Sequence, residues 1–185
     1  MIILPPPPII SSLVIPVVPF YSQFNDIHAM SWKKVGCGIT SLAMIIEYYQ
    51  PGSVSVDNLL KEGILISAYD SSAGWIHKGL ITLSKNYGLV GKSYDVNSLS
   101  KELAFSKFKD HVATGPVMAS VHYKFDPRSS IPHLVVIEGI KDNVVYYNDP
   151  ADKTGQKQIS VTDFQKAWKK KFIVIRPVAK GKAVV

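Results

Sequence analysis

The feature that most constrains this chain is a change of hydrophobic period at Gly115-Pro116. Before it, apolar residues recur at helical spacing; after it, they fall in short β-branched or aromatic runs parted by turn residues. The helical part predicts segments over 39–49, 55–62, 75–86 and 98–112. Ser55 is the cap of the second, Gly63 its stop, and Gly88 the stop of the third. The extended part predicts strands over 117–123, 133–140, 144–148, 158–161 and 172–176, with one helix over 162–170 between the last two. Helices first and strands afterwards is the order of an α+β domain, and 185 residues are enough for one domain with a real core.

The ends read differently from the middle. Residues 1–16 carry Pro5-Pro6-Pro7-Pro8 and Pro16, which favour a stiff polyproline arm. They make a poor signal peptide, since no Lys or Arg precedes the apolar part and prolines interrupt it. The folded domain is expected over 17–178 and a basic tail over 179–185. From Lys166 onward there are seven basic residues and no acidic one, whereas the rest of the chain balances 14 against 14. The net charge of +7 therefore belongs to this segment. It reads either as a solvated face, with lysines suiting a helix C-terminus, or as an attraction to an anionic surface. No aromatic platform or nucleic-acid motif accompanies it, so nucleic acid is not expected as a partner. No run approaches the roughly 20 apolar residues that span a bilayer. The histidines at 28, 77, 111, 122 and 133 lack ligand-type spacing, so neither a metal nor another cofactor is expected.

The first predicted helix carries the chemistry. In Gly36-Cys37-Gly38-Ile39-Thr40-Ser41-Leu42-Ala43-Met44 the only cysteine stands at the helix start. Free N–H groups and the positive end of the helix dipole favour a thiolate there, and the thiolate is the nucleophile. Two plainer readings stand beside this one. A lone cysteine on an apolar helix can be a buried inert residue. The glycines also resemble a phosphate loop, although Ser41 replaces the third glycine and no strand plus acidic partner frames the motif.

A cysteine nucleophile needs a base and a group to orient it. His133 opens one strand, Asp149 closes the next, and the turn at Lys141-Asp142-Asn143 makes the two a hairpin. The start of the first strand then lies beside the end of the second, so topology brings His133 and Asp149 together. Alternation along 144–148 lets only one of Asn148 and Asp149 reach His133, and Asp149 is expected to be that one. His122 is the rival base, with no acidic partner placed beside it.

Taken in order, Gln23, Trp32, Gly36-Cys37-Gly38 to Met44, Gly74-Trp75-Ile76-His77, His133-Leu134-Val135-Val136 and Asn148-Asp149-Pro150 resemble the C39-like cysteine peptidases, which have a papain-like fold. The resemblance runs from about Val17 to Pro177. It implies that Cys37 is nucleophile, His133 general base and acid, Asp149 the orienting group and Gln23 a donor to the oxyanion. It departs at Ile39, where family members often carry proline. The implied function is thiol-dependent hydrolysis of a peptide or related amide bond in a peptide or protein substrate. Acyl transfer by the same thioester chemistry and a non-catalytic peptide-binding module are the alternatives. Relatives fused to exporters cleave leader peptides after a double glycine, but this chain shows neither spans nor a P-loop. Standalone relatives are often exported, which implies an extracellular or cell-surface place.

Overall fold

The computed structural model describes residues 15–178, so most of the proline-rich arm and all of the basic tail lie outside the described residues. Among the described residues five α-helices are present: α1 (Cys37–Tyr49), α2 (Val56–Leu65), α3 (His77–Ser84), α4 (Lys101–Val112) and α5 (Val161–Ala167). The strands are β1 (Tyr69–Asp70), β2 (Gly74–Trp75), β3 (Leu89–Asp95), β4 (Val117–His122), β5 (Pro132–Lys141), β6 (Val144–Asn148), β7 (Lys157–Ser160) and β8 (Trp168–Pro177). Short 3-10 turns fill Met30–Val35, Lys85–Tyr87 and Tyr123–Phe125. β1 and β2 form a small antiparallel hairpin, and the other six strands form one antiparallel sheet in the order β3-β8-β4-β5-β6-β7.

The central strands are apolar at nearly every position because both faces of the sheet are covered. Met118, Leu134, Val136 and Ile173 pack with Leu42, Ile46, Leu59 and Leu80 of α1, α2 and α3. Val117, Ala119, Val135 and Ile137 pack on the other face with Phe105, Phe108, Phe164 and Trp168. This is a papain-like α+β fold, with α1 laid across β5. The β5–β6 turn is closed by Asp142 and Asn143, both at positive φ (51° and 63°), the backbone that a two-residue hairpin turn demands.

Serines cap three helices: Ser55 accepts from the Asn58 N–H, Ser100 from Leu103 and Ser160 from Asp163. Several boundaries differ from the sequence expectation. Gly63 does not stop α2; it lies inside the helix, where a Cβ would stand 2.9 Å from the Trp75 ring, and the helix continues to Leu65. Trp75 does not open α3. Its indole is packed beside Gly38 and Gly63 and donates to the Val35 carbonyl at 2.6 Å, which holds residues 74–75 extended. Trp32 belongs to a 3-10 turn and not to a plain loop, in edge contact with Tyr69.

Strand β3 was not expected. Only Leu89 of its seven residues is fully buried, so the strand shows little alternation and is recognisable only by its pairing with β8. The helix expected to reach Lys170 ends at Ala167, because burial of Trp168 among Phe105, Phe108 and Phe172 draws the lysines that follow into β8.

Candidate active site

Cys37 is the first residue of α1, with Gly36 as its N-cap, and its side chain is half-buried. The next glycine is there for space. A Cβ on Gly38 would stand 2.5 Å from Trp75 Cβ, so only glycine lets the β1–β2 hairpin close against the helix start. Ser41, fully buried one turn further on, donates its hydroxyl to the Leu134 carbonyl at 3.1 Å. That bond pins the cysteine helix to the residue after His133. Sequence reasoning met Ser41 only as a missing glycine; its anchoring partner is 93 positions away.

His133 lies at the start of β5, opposite Val121 of β4. Val136 pairs with Asn148, the last residue of β6, so Asp149 follows directly after that strand, near the start of β5 where His133 stands. His133 Nε2–H donates to Asp149 Oδ1 at 2.6 Å, and both residues are buried. The same carboxylate oxygen accepts the Ala151 N–H at 2.8 Å. The Cys37 sulfur stands near enough to the same imidazole to act on its charge. Burial works against charge on this ring, but the Asp149 carboxylate and the Cys37 sulfur outweigh it and raise its pKa to about 10. Tyr123 stands edge-on to the imidazole at 5.2 Å between centroids.

Asn148 points the other way. Its Nδ2 donates to the Val18 carbonyl and to Glu138 Oε1, and its Oδ1 accepts from Gln156 N–H at 2.7 Å. It fastens the incoming chain to the sheet and does not touch His133. His122 is equally turned away: its Nδ1–H donates to the Ser129 carbonyl at 2.6 Å, and it does not border the cleft. Gln23 is buried in the turn before Cys37. Its backbone N–H donates to Pro150 and its Nε2 to the Lys33 carbonyl, while Oε1 has no partner.

These groups share the wall of one cleft of about 850 Å³ between the start of α1, the β1–β2 hairpin, the start of β5 and the start of β8. Gln23, Cys37 and His133 line it, and Asp149 stands behind His133. Trp75, Ile76, Ile131 and Pro132 make much of its surface apolar. A second polar corner escaped the sequence reasoning. His77 sits there between Ser93 Oγ at 2.8 Å and Ser120 Oγ at 3.1 Å, joining α3, β3 and β4. Burial, and then the nearby Lys171, lowers its pKa below the ordinary imidazole value against a weaker pull from Asp95.

The model of the Peptidase_C39 like family matches residues 15–172. The chain belongs to this family. Three solved structures share the fold of this C39-like chain. A C39-like peptidase from Bacillus anthracis aligns at TM-score 0.64 with 20% identity, over 88% of this chain and 96% of that one. A double glycine motif protease from an AMS/PCAT transporter, solved with its leader peptide, aligns at 0.61 and 24%, over 88% and 93%. The peptidase domain of Streptococcus ComA aligns at 0.57 and 18%, over 78% and 93%. No curated protein sequence matches the chain. Ile39, the departure from the family pattern, is fully buried in the first turn of α1 and reaches to within 3.0 Å of where a Gly63 Cβ would be, so here it packs α1 onto α2. Among the described residues of this C39-like domain, no helix is long and apolar enough to cross a membrane.

Proposed function

We propose that this C39-like chain is a thiol-dependent hydrolase that cleaves a peptide or related amide bond through Cys37, His133 and Asp149. The observation that carries the reading is an imidazole held at 2.6 Å by a buried carboxylate, on the wall of a cleft that it shares with the only cysteine. A peptide is the favoured substrate because a solved relative of the same fold holds a leader peptide.

With His133 charged, its positive ring stabilises a Cys37 thiolate beside it. The sulfur attacks the acyl carbon, forming an S–C bond as the carbonyl oxygen takes the negative charge. The Gln23 amide has one N–H engaged by Lys33 and a second left to donate to that oxygen, together with a backbone N–H at the start of α1. His133 gives its proton to the leaving nitrogen as the C–N bond breaks, which leaves a thioester. The now neutral imidazole takes a proton from water. The resulting hydroxide attacks the thioester, the S–C bond breaks, and acid and thiolate are released. Asp149 holds the ring in one orientation throughout. The working domain covers 17–178, with 1–16 and 179–185 as flanking segments.

The test combines labelling with turnover. Iodoacetamide at pH 6 should alkylate Cys37 faster in the folded protein than in the urea-unfolded chain, and cleavage of a peptide mixture should fall in step with the adduct seen by mass spectrometry. Cleavage that survives complete alkylation, or survives Cys37→Ala, overturns the proposal.

A further inference from the structure

Three lysines border the cleft, and none of the side chains lining it is a carboxylate. Lys34 precedes Cys37 at the end of the 3-10 turn, while Lys169 and Lys171 lie at the start of β8. Acidic groups on the elements that frame the cleft have partners of their own. Asp149 is engaged by His133 and by the Ala151 N–H. Asp70, in the rim hairpin, is turned into its own loop, where it accepts from the Ser72 N–H and hydroxyl and from the Ala73 N–H. Asp95 stands 3.1 Å from Lys171 Nζ, but both side chains of that pair are about half exposed, so it is loose and exchangeable. Among the described residues, neither Lys34 nor Lys169 has a carboxylate within ion-pair distance.

The placement of the β8 lysines is built into the sheet. Lys170 takes a positive φ of 52°, and the register against β4 shifts there: Ser120 faces Lys171, but Val121 faces Trp168. Lys169 and Lys170 are therefore extra residues with no partner on β4, the pattern of a bulge that re-aims side chains. Lys170 donates to the Leu99 carbonyl, whereas Lys169 and Lys171 both border the cleft. Next to them, Ser120 is bonded to His77. Of the other described basic residues of this segment, Lys166 pairs with Asp163, and Arg176 donates to the carbonyls of His111, Gly115 and Pro116. Part of the excess charge of this segment thus belongs to the cleft.

We propose that the cleft selects peptides bearing Glu or Asp side chains near the bond to be cleaved, with Lys169, Lys171 and Lys34 as the residues that recognise them. The inference rests on the peptide-cleaving reading above and adds a substrate class to it. A carboxylate entering this corner meets cations with little local compensation, in a cleft whose apolar walls exclude part of the water that would screen it. Each pairing is expected to favour Glu over Gln by about two- to fivefold, the range of exposed or half-exposed ion pairs.

The experiment separates binding from turnover. Full-length Cys37→Ala protein is immobilised and offered an equimolar mixture of short random peptides, acetylated and amidated, and the retained fraction is sequenced by mass spectrometry. Retained peptides should be enriched in Glu and Asp over Gln and Asn at about 20 mM salt, and the enrichment should collapse at about 0.5 M, where the screening length is only a few ångströms. Adding Lys169→Glu with Lys171→Glu should invert the preference toward Lys and Arg; Lys34→Glu is a second, independent reversal at another wall, and thermal melts check that each variant is folded. Equal retention of Glu and Gln peptides overturns the proposal. So does enrichment that depends on a free C-terminus in an unblocked set, since the cleft would then read the terminal carboxylate. If the wild-type protein cleaves none of the mixture while the Cys37→Ala protein still prefers Glu, the hydrolase reading falls and the acidic preference stands.

Discussion

Two histidines sit in the same cleft, and their surroundings drive them in opposite directions. His133 is the more buried of the two, yet its pKa rises to about 10 because it faces a carboxylate and a thiol sulfur. His77 meets only two hydroxyls and has Lys171 nearby, so burial prevails and its pKa falls. Desolvation alone pushes both rings toward neutrality, so the sign is decided by whether an anion stands within hydrogen-bonding distance. The lesson is that burial and a place in a cleft do not identify a base; the partner on the far nitrogen does. His122, with a backbone carbonyl as its partner and no place in the cleft, makes the same point from outside.

The largest expected effect tests that contrast directly. His133→Ala should lower kcat/KM by about 10²–10⁴-fold, the usual contribution of a positioned general acid–base. His77→Ala should stay within about tenfold, because a neutral hydrogen bond contributes about 0.5–1.5 kcal/mol. His122→Ala should change turnover least. A dead His122→Ala with an active His133→Ala would reverse the assignment.

A second comparison sets Asp149 against its neighbour. Asp149→Ala should cut the rate by about 10²-fold or more, since the imidazole loses the partner that orients and charges it. Asn148→Ala should act on stability instead, by about 1–3 kcal/mol in denaturant titrations, because the Val18 carbonyl and the Gln156 N–H lose their partner and Glu138 Oε1 keeps only the Val18 N–H. Equal losses of rate in the two variants would dissolve the distinction.

The smallest effect, and the sharpest in sign, is the pH dependence of stability. His133 is raised above its unfolded value of about 6.5, so its contribution is complete below about pH 6.5 and is lost as pH rises through about 10. His77 is lowered, so its contribution is present above about pH 6.5 and is lost as pH falls through its folded value. Melting temperatures should therefore show wild type losing ground to His133→Gln on the alkaline side and to His77→Gln on the acid side. The same sign for both would mean that one of the two rings is not in the environment described.

Much of this was legible locally. The switch of period at Gly115-Pro116, the Ser55 cap and the Asp142-Asn143 turn are written in neighbouring residues, because helix and hairpin formation depend on contacts a few positions apart. The hairpin alone brought His133 beside Asp149, and the glycine-flanked Cys37 at a helix start was readable for the same reason. What the tertiary structure decided are the long-range placements. Strand β3 exists because β8, about 80 positions later, pairs with it; its own residues carry little pattern. Trp75 is held extended by packing against Gly38 and Gly63 and by its bond to Val35, which no local rule encodes. Lys169 reads as part of a charged helix end and Lys171 as the link to the next strand, but burial of Trp168 and the bulge at Lys170 carry both to the cleft. For Trp75 and for the lysines after Trp168 the physical reason is the same: local propensities differ by fractions of a kcal/mol per residue, whereas burying one aromatic side chain contributes about 1.5–3 kcal/mol, so the core overrules the local preference where the two conflict.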